Sequence, residues 1–170
     1  LAVLPDHAGD VQTLMQHADI AMYVAKAGRI GLSVYDVDGD SSSTARLLLL
    51  GDLRQALSAD DQLSIHYQPK LDLESGEIVG LEALLRWQHP TRGNIPPGDF
   101  VPLAERTGLV HSLTRKVLEL VLGQMRDWRR EGWEIQVAVN LSALNLSEPD
   151  LDAKIAALLE EYDVPPRLLE

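Results

Sequence analysis

The stretch from Ile78 to Trp87, IVGLEALLRW, decides the fold. Read as a strand, it sends successive side chains to opposite faces. Val79, Leu81, Ala83, Leu85 and Trp87 share one face, and all are apolar. Ile78, Gly80, Glu82, Leu84 and Arg86 share the other. That second face carries a carboxylate and a guanidinium about 13 Å apart along the strand, from the usual rise per residue. Taken alone, the pattern fits any sheet with one buried and one wet face, on which Glu82 and Arg86 are solvated charges. The neighbouring segments change that reading.

The chain has 170 residues, 45% hydrophobic and 24% charged, enough to bury a core and too apolar for a disordered chain. It holds no cysteine, which excludes disulfide frameworks, thiolate metal sites and cysteine nucleophiles. A net charge of −11 repels phosphate backbones and disfavours general binding of DNA or RNA. A small anion could still bind where a cation or a local basic group offsets the field. The longest aliphatic run, Leu47 to Leu50, is far too short to span a bilayer, and no signal peptide is visible. The chain starts at Leu1 without a methionine and stops at Glu170 without a tail. It therefore reads as an internal fragment, cytoplasmic in location, whose parent could be membrane-anchored through other domains.

From the N-terminus, the spacing predicts a helix over Asp10 to Ala27, with Asp10 as N-cap and Gly28 as its stop. A short strand follows over Ile30 to Val37. The polar Asp38 to Ser43 stretch is the best linker candidate, and a helix runs from Thr44 to about Ser58. Leu63 to Lys70 alternates as a strand, and Ser75-Gly76 supplies a turn that makes it a hairpin with the Ile78 strand. Gln88 to Gly98, with three prolines and two glycines, reads as a loop. Asp99 caps a short helix over Phe100 to Thr107 that Gly108 ends. Leu109 to Glu131 is the longest helix, with Val110, Leu113, Val117, Leu120, Val121, Gln124 and Trp128 on one face. Ile135 to Ser142 alternates as a strand, and a last helix runs from Asp150 to Tyr162 before Val164-Pro165-Pro166 breaks it.

Three strands thus share one design: an apolar face, and an opposite face with a polar group near the C-terminal end. Those groups are Gln68, Glu82 with Arg86, and Asn140. Strands alternating with helices predict an α/β layer arrangement. In a closed barrel the apolar faces would pack on helices and the polar groups would gather at the rim, where barrel active sites lie. A carboxylate and an amide oxygen are hard ligands suited to magnesium or manganese, and an arginine beside them can clamp a phosphate. A two-metal site needs several carboxylates, and only one inward carboxylate is identifiable here.

Several motifs carry a resemblance to a known family. Tyr67-Gln68-Pro69-Lys70 comes first, followed by Gly80-Leu81-Glu82-Ala83-Leu84-Leu85-Arg86-Trp87 and His89-Pro90. Gly93-Asn94-Ile95-Pro96-Pro97-Gly98-Asp99-Phe100, Ala104-Glu105 with Gly108, and Val139-Asn140-Leu141-Ser142 complete the set. In this order and spacing they resemble the first half of an EAL domain, across roughly residues 50 to 170. The resemblance implies a modified, here incomplete, (β/α)₈ barrel that hydrolyses cyclic di-GMP to linear pGpG with Mg²⁺ or Mn²⁺. It implies that Glu82 and Asn140 are catalytic metal ligands. It also implies that Gln68, Leu84, Arg86 and Pro97 contact the dinucleotide. Glu105 sits in a motif but reads as structural, and His66, His89 and His111 have no task in the family pattern.

The first 37 residues resemble the last helix and strand of a GGDEF diguanylate cyclase domain. They do so through His17-Ala18-Asp19, Ala21-Met22-Tyr23 and Ala25-Lys26-Ala27-Gly28. The implied organisation is a GGDEF remnant over 1–37, a linker and connecting helix over 38–58, and the N-terminal half of an EAL domain over 59–170. The remaining metal ligands and a catalytic lysine would lie beyond Glu170, so the fragment alone is expected to be inactive. An unpaired sheet edge and an open inner face point to self-association as a homodimer. Two other readings stay open at this stage. One is a degenerate EAL domain that binds cyclic di-GMP as a receptor without cleaving it, and the other is a purely structural interaction module.

Overall fold

The strand β2 (Ile78–His89) is the axis of the sheet, and every other strand pairs with it. The structure, a computed structural model, describes residues 1–27, 31–35, 37–59 and 61–170; at 20, 23, 24, 26, 27 and 37–45 it describes the backbone alone. β1 (Leu63–Leu71) runs antiparallel along β2, closed by the turn that the sequence predicts. In that turn Asp72 Oδ1 accepts hydrogen bonds from the Glu74 and Ser75 amides, and Gly76 takes φ 70°, where a side chain would be strained.

The register sorts the two faces. Leu63 pairs with Trp87, Ile65 with Leu85, Tyr67 with Ala83 and Pro69 with Leu81, so one face is apolar throughout. Ser64 pairs with Arg86, His66 with Leu84, Gln68 with Glu82 and Lys70 with Gly80 on the other. β4 (Val137–Val139) is parallel to β2, with Leu81, Glu82 and Ala83 opposite Val137, Ala138 and Val139. Gly80 permits this approach: a Cβ there would stand 3.0 Å from the Gln136 carbonyl oxygen. A further parallel bridge joins Val137 to Leu169, with Glu170 N–H donating to Val137 O at 2.9 Å.

Helices cover the apolar face. α3 (Pro97–Thr107) and α4 (Val110–Arg130) follow each other closely, because Gly108 closes α3 in the left-handed conformation at φ 77°. Trp87 is fully buried, edge-on to Phe100 at 5.2 Å between centroids, and its indole N–H donates to Gln62. Ala83 and Val137 pack on Val117, Val121 and Leu122 of α4, and on Leu158 and Leu159 of α5 (Leu151–Glu161).

Several readings of the sequence need correction; Asp99, for one, lies inside α3, which opens at Pro97 behind Pro96, and does not cap it. Gly31–Tyr35 forms no strand; Ile30 and the Gly28 stop lie outside the described residues. A strand needs a ladder partner; among the described residues the segment joins no ladder, and its Tyr35 amide donates to the carbonyl of Leu1. The polar Asp38–Ser43 stretch is not an extended linker, since α2 (Val37–Ser58) is helical from Val37 onward. Helix propagation is cooperative, so a leucine-rich second half carries a poor first half with it. Within the predicted loop, Gly93–Ile95 forms a strand, β3, antiparallel to Trp87–His89. On α4 the buried face includes Leu118, Leu122 and Met125, whereas Gln124 is exposed, because the helix is gripped on two sides. By contrast α1 (Val11–Ala27) begins as expected, with Asp10 Oδ1 accepting the Thr13 amide at 2.8 Å.

Candidate functional site

Glu82 stands opposite Ala138 in the parallel ladder, and Asn140 follows Ala138 by two residues. Glu82 therefore faces the side of the sheet away from the helices, and Asn140, just past the end of β4, meets it there. The Asn140 Nδ2 donates a hydrogen bond to Glu82 Oε1 at 2.7 Å. This single contact joins residues 58 positions apart in sequence. Gln68 sits directly across from Glu82 on β1, on the same face. Leu84 and Arg86 continue that face toward the C-terminal end of β2, each half-buried. The Arg86 Nη1 donates to the neighbouring Leu85 carbonyl at 2.9 Å, which anchors one end of the guanidinium and leaves its other N–H donors for a ligand. Pro97 stands apart as the first residue of α3. The structure thus brings Glu82 and Asn140 into contact, sets Gln68 in register with them, and places Leu84, Arg86 and Pro97 further out.

The same face carries one ion pair that sequence reasoning missed, between Lys70 of β1 and Glu170 beside β4. No local signal could have shown it, since the partners are 100 positions apart. Also missed were Thr114, Ser142 and Asn145, which bond one another where the chain leaves β4. Their signal was legible in part: Ser142 and Asn145 stand three apart just past a strand, a spacing typical of side chains that tie a turn.

The histidines stay away from the carboxylate. His89 Nε2 lies 3.2 Å from Asp52 Oδ2 on α2, and its Nδ1 accepts the Thr91 and Arg92 amides. His111 bonds Glu148 at 2.8 Å; with Lys154, first in effect, it holds that carboxyl below its ordinary range. His66 is exposed on β1. Burial pushes the Tyr67 phenol, on the helix-facing side against Trp128, up to about 12.

The donor set suits a hard divalent cation by type but not by number. One carboxylate and one amide oxygen fall well short of the six or more oxygens such ions take. Among the described residues no group of three or more His, Asp or Glu could hold a metal. The amide also turns its N–H toward Glu82, so ligation by Asn140 requires a half-turn of the amide to present Oδ1. Because the two ends of a primary amide are nearly the same size, that turn needs no repacking.

Comparison with known proteins fits this arrangement. The family model described as the EAL domain matches residues 50–170. Escherichia coli (strain K12) cyclic di-GMP phosphodiesterase PdeR is 42% identical over 164 residues, which is 96% of this chain and 24% of that protein. Pseudomonas aeruginosa MucR, a bifunctional diguanylate cyclase/cyclic di-GMP phosphodiesterase, is 44% identical over 167 residues, or 94% of this chain and 24% of that protein. The solved PaMucR phosphodiesterase in its c-di-GMP complex superposes with a TM-score of 0.67 at 45% identity, covering 72% of this chain and 49% of that one. This chain spans about a quarter of the length of those two curated relatives. With β2, Glu82 and Asn140 all inside the matched span, the chain belongs to the EAL-domain family.

Proposed function

We propose that the chain is the first half of an EAL barrel and belongs to a phosphodiesterase that hydrolyses cyclic di-GMP to pGpG with Mg²⁺ or Mn²⁺. The observation that carries this reading is the contact between Glu82 and Asn140 on the open face of the sheet. A dinucleotide receptor has no need of metal ligands, whereas metal-assisted hydrolysis of a phosphodiester does. Relatives named as phosphodiesterases across nearly the whole chain give further support.

In this mechanism Glu82 and Asn140, through its Oδ1, would hold the cation. When bound, such an ion supplies Lewis acidity that polarises a phosphoryl oxygen and acidifies water. Arg86 clamps a phosphate through its free N–H donors, Gln68 hydrogen-bonds the ligand beside Glu82, and Leu84 and Pro97 provide apolar contact. One carboxylate and one amide oxygen fall short of the six or more oxygens such an ion takes, so these 170 residues alone are expected to leave cyclic di-GMP uncleaved. Residues 1–37 are the end of a GGDEF domain, a reading supported by the match to the bifunctional MucR, which reaches upstream of residue 50. Pairing along β1, which has one ladder partner among the described residues, would join two copies.

The test is hydrolysis of cyclic di-GMP by the intact protein with Mg²⁺ or Mn²⁺ and with a chelator. Activity should require the ion and fall at least ~100-fold in Glu82→Gln and Asn140→Ala, since losing even a group behind a metal ligand costs about 10- to 100-fold. Full activity in both variants would sink the reading.

A further inference from the structure

We propose that Glu105 is a positioning residue for Asn140, acting through Ser142. The inference rests on the metal-site reading of Glu82 and Asn140 and extends it to a third element, α3. β4 ends at Val139, whose amide bonds the Glu170 carbonyl, so from Asn140 onward the backbone has left the ladder. Side chains from two helices hold it instead. Ser142 Oγ donates to Glu105 Oε1 at 2.6 Å, which ties the loop to α3. Asn145 Oδ1 accepts the Ser142 amide at 3.2 Å and the Thr114 hydroxyl at 3.0 Å, which ties the same turn to α4. The Asn145 amide in turn donates to the Ser142 carbonyl at 2.9 Å.

Ser142 is therefore fixed from its hydroxyl, its N–H and its carbonyl, two residues past the amide that meets Glu82. Asn145 is fully buried, yet its Nδ2 has no partner among the described residues. A buried orphan donor costs stability, so a residue kept there for packing alone would be better apolar. Glu105 is half-buried and makes no ion pair among the described residues, so its carboxylate serves the Ser142 hydroxyl. Groups that orient metal ligands from behind commonly set affinity for the ion.

The experiment measures Mn²⁺ affinity of the intact protein by electron paramagnetic resonance, alongside melting temperature. Glu105→Ala and Ser142→Ala should each weaken Mn²⁺ binding by ~10-fold or more, the usual range for such groups. Glu105→Gln, whose amide oxygen still accepts the hydroxyl, should restore most of it. Wild-type Mn²⁺ affinity in Glu105→Ala, at a temperature where the variant is folded, would overturn the proposal even if its melting temperature drops. Glu82→Gln and Asn140→Ala are the controls. If they leave Mn²⁺ binding unchanged, the metal reading fails, and the relay is judged by the metal-free crystal structure of Glu105→Ala. There the Asn140–Glu82 hydrogen bond should be broken, and an intact one would overturn the relay on its own.

Discussion

Side-chain direction made Glu82 and Asn140 legible as a pair, because a strand's alternation is fixed by its backbone. What alternation could not show was which end of the amide faces the carboxylate, or that Ser142 and Asn145 fix the loop beyond. Those depend on helices brought in from elsewhere in the chain. Tyr67 offers a test at this scale. Burial lifts its phenol to about 12, against about 10 for an exposed one. The folded phenol then keeps its proton while the unfolded one loses it. The stability tied to this proton is complete below about pH 10 and is lost as pH rises toward 12. Denaturant midpoints of wild type and Tyr67→Phe should keep a constant offset below about pH 9, and above about pH 10 wild type should fall relative to the variant. A constant offset up to pH 12 would show that the ring is not desolvated.

The helix α2 is the element where sequence and structure part most. The spacing predicts a helix over its second half, and the structure seats that half in the core. Leu53 and Ala56 are fully buried beside Leu63, Trp87, Ile95 and Phe100, and Asp52 receives His89 and Arg92 from the β2–β3 turn. Leu53→Ala should therefore cost ~2–5 kcal/mol, the range for emptying a leucine site in a packed core, seen as a lowered denaturant midpoint. A loss below about 0.5 kcal/mol, as at an exposed site, would mean that α2 only rests on the surface. The short β3 escaped the sequence for a different reason. Prolines and glycines on both sides signal a loop, and only pairing with Trp87–His89 makes three residues of it a strand.

For the whole molecule, the layered α/β arrangement followed from three alternating segments, and its pairing pattern followed from turn length and crossover. A two-strand hairpin must be antiparallel, while β2 and β4 are joined through helices and can be parallel. Among the described residues no helix is long and apolar enough to cross a membrane. The net charge of −11 acts on the molecule as one body. Self-repulsion is screened by salt, with a Debye length of about 30 Å at 0.01 M and 8 Å at 0.15 M. The melting temperature should rise across that interval in sodium chloride. A fall would mean that the surface ion pairs outweigh the excess of acids.

The residue at which the family match opens, 50, lies in the middle of α2, while the helix itself starts at Val37. Its 22 residues make a rod of about 33 Å. Leu53 and Ala56, at its far end, are seated in the core with no exposed surface. A rotation imposed at Val37 would reach Leu53 and Ala56 along a continuous helical backbone, and there it would meet the neighbours of Trp87, on the strand that carries Glu82.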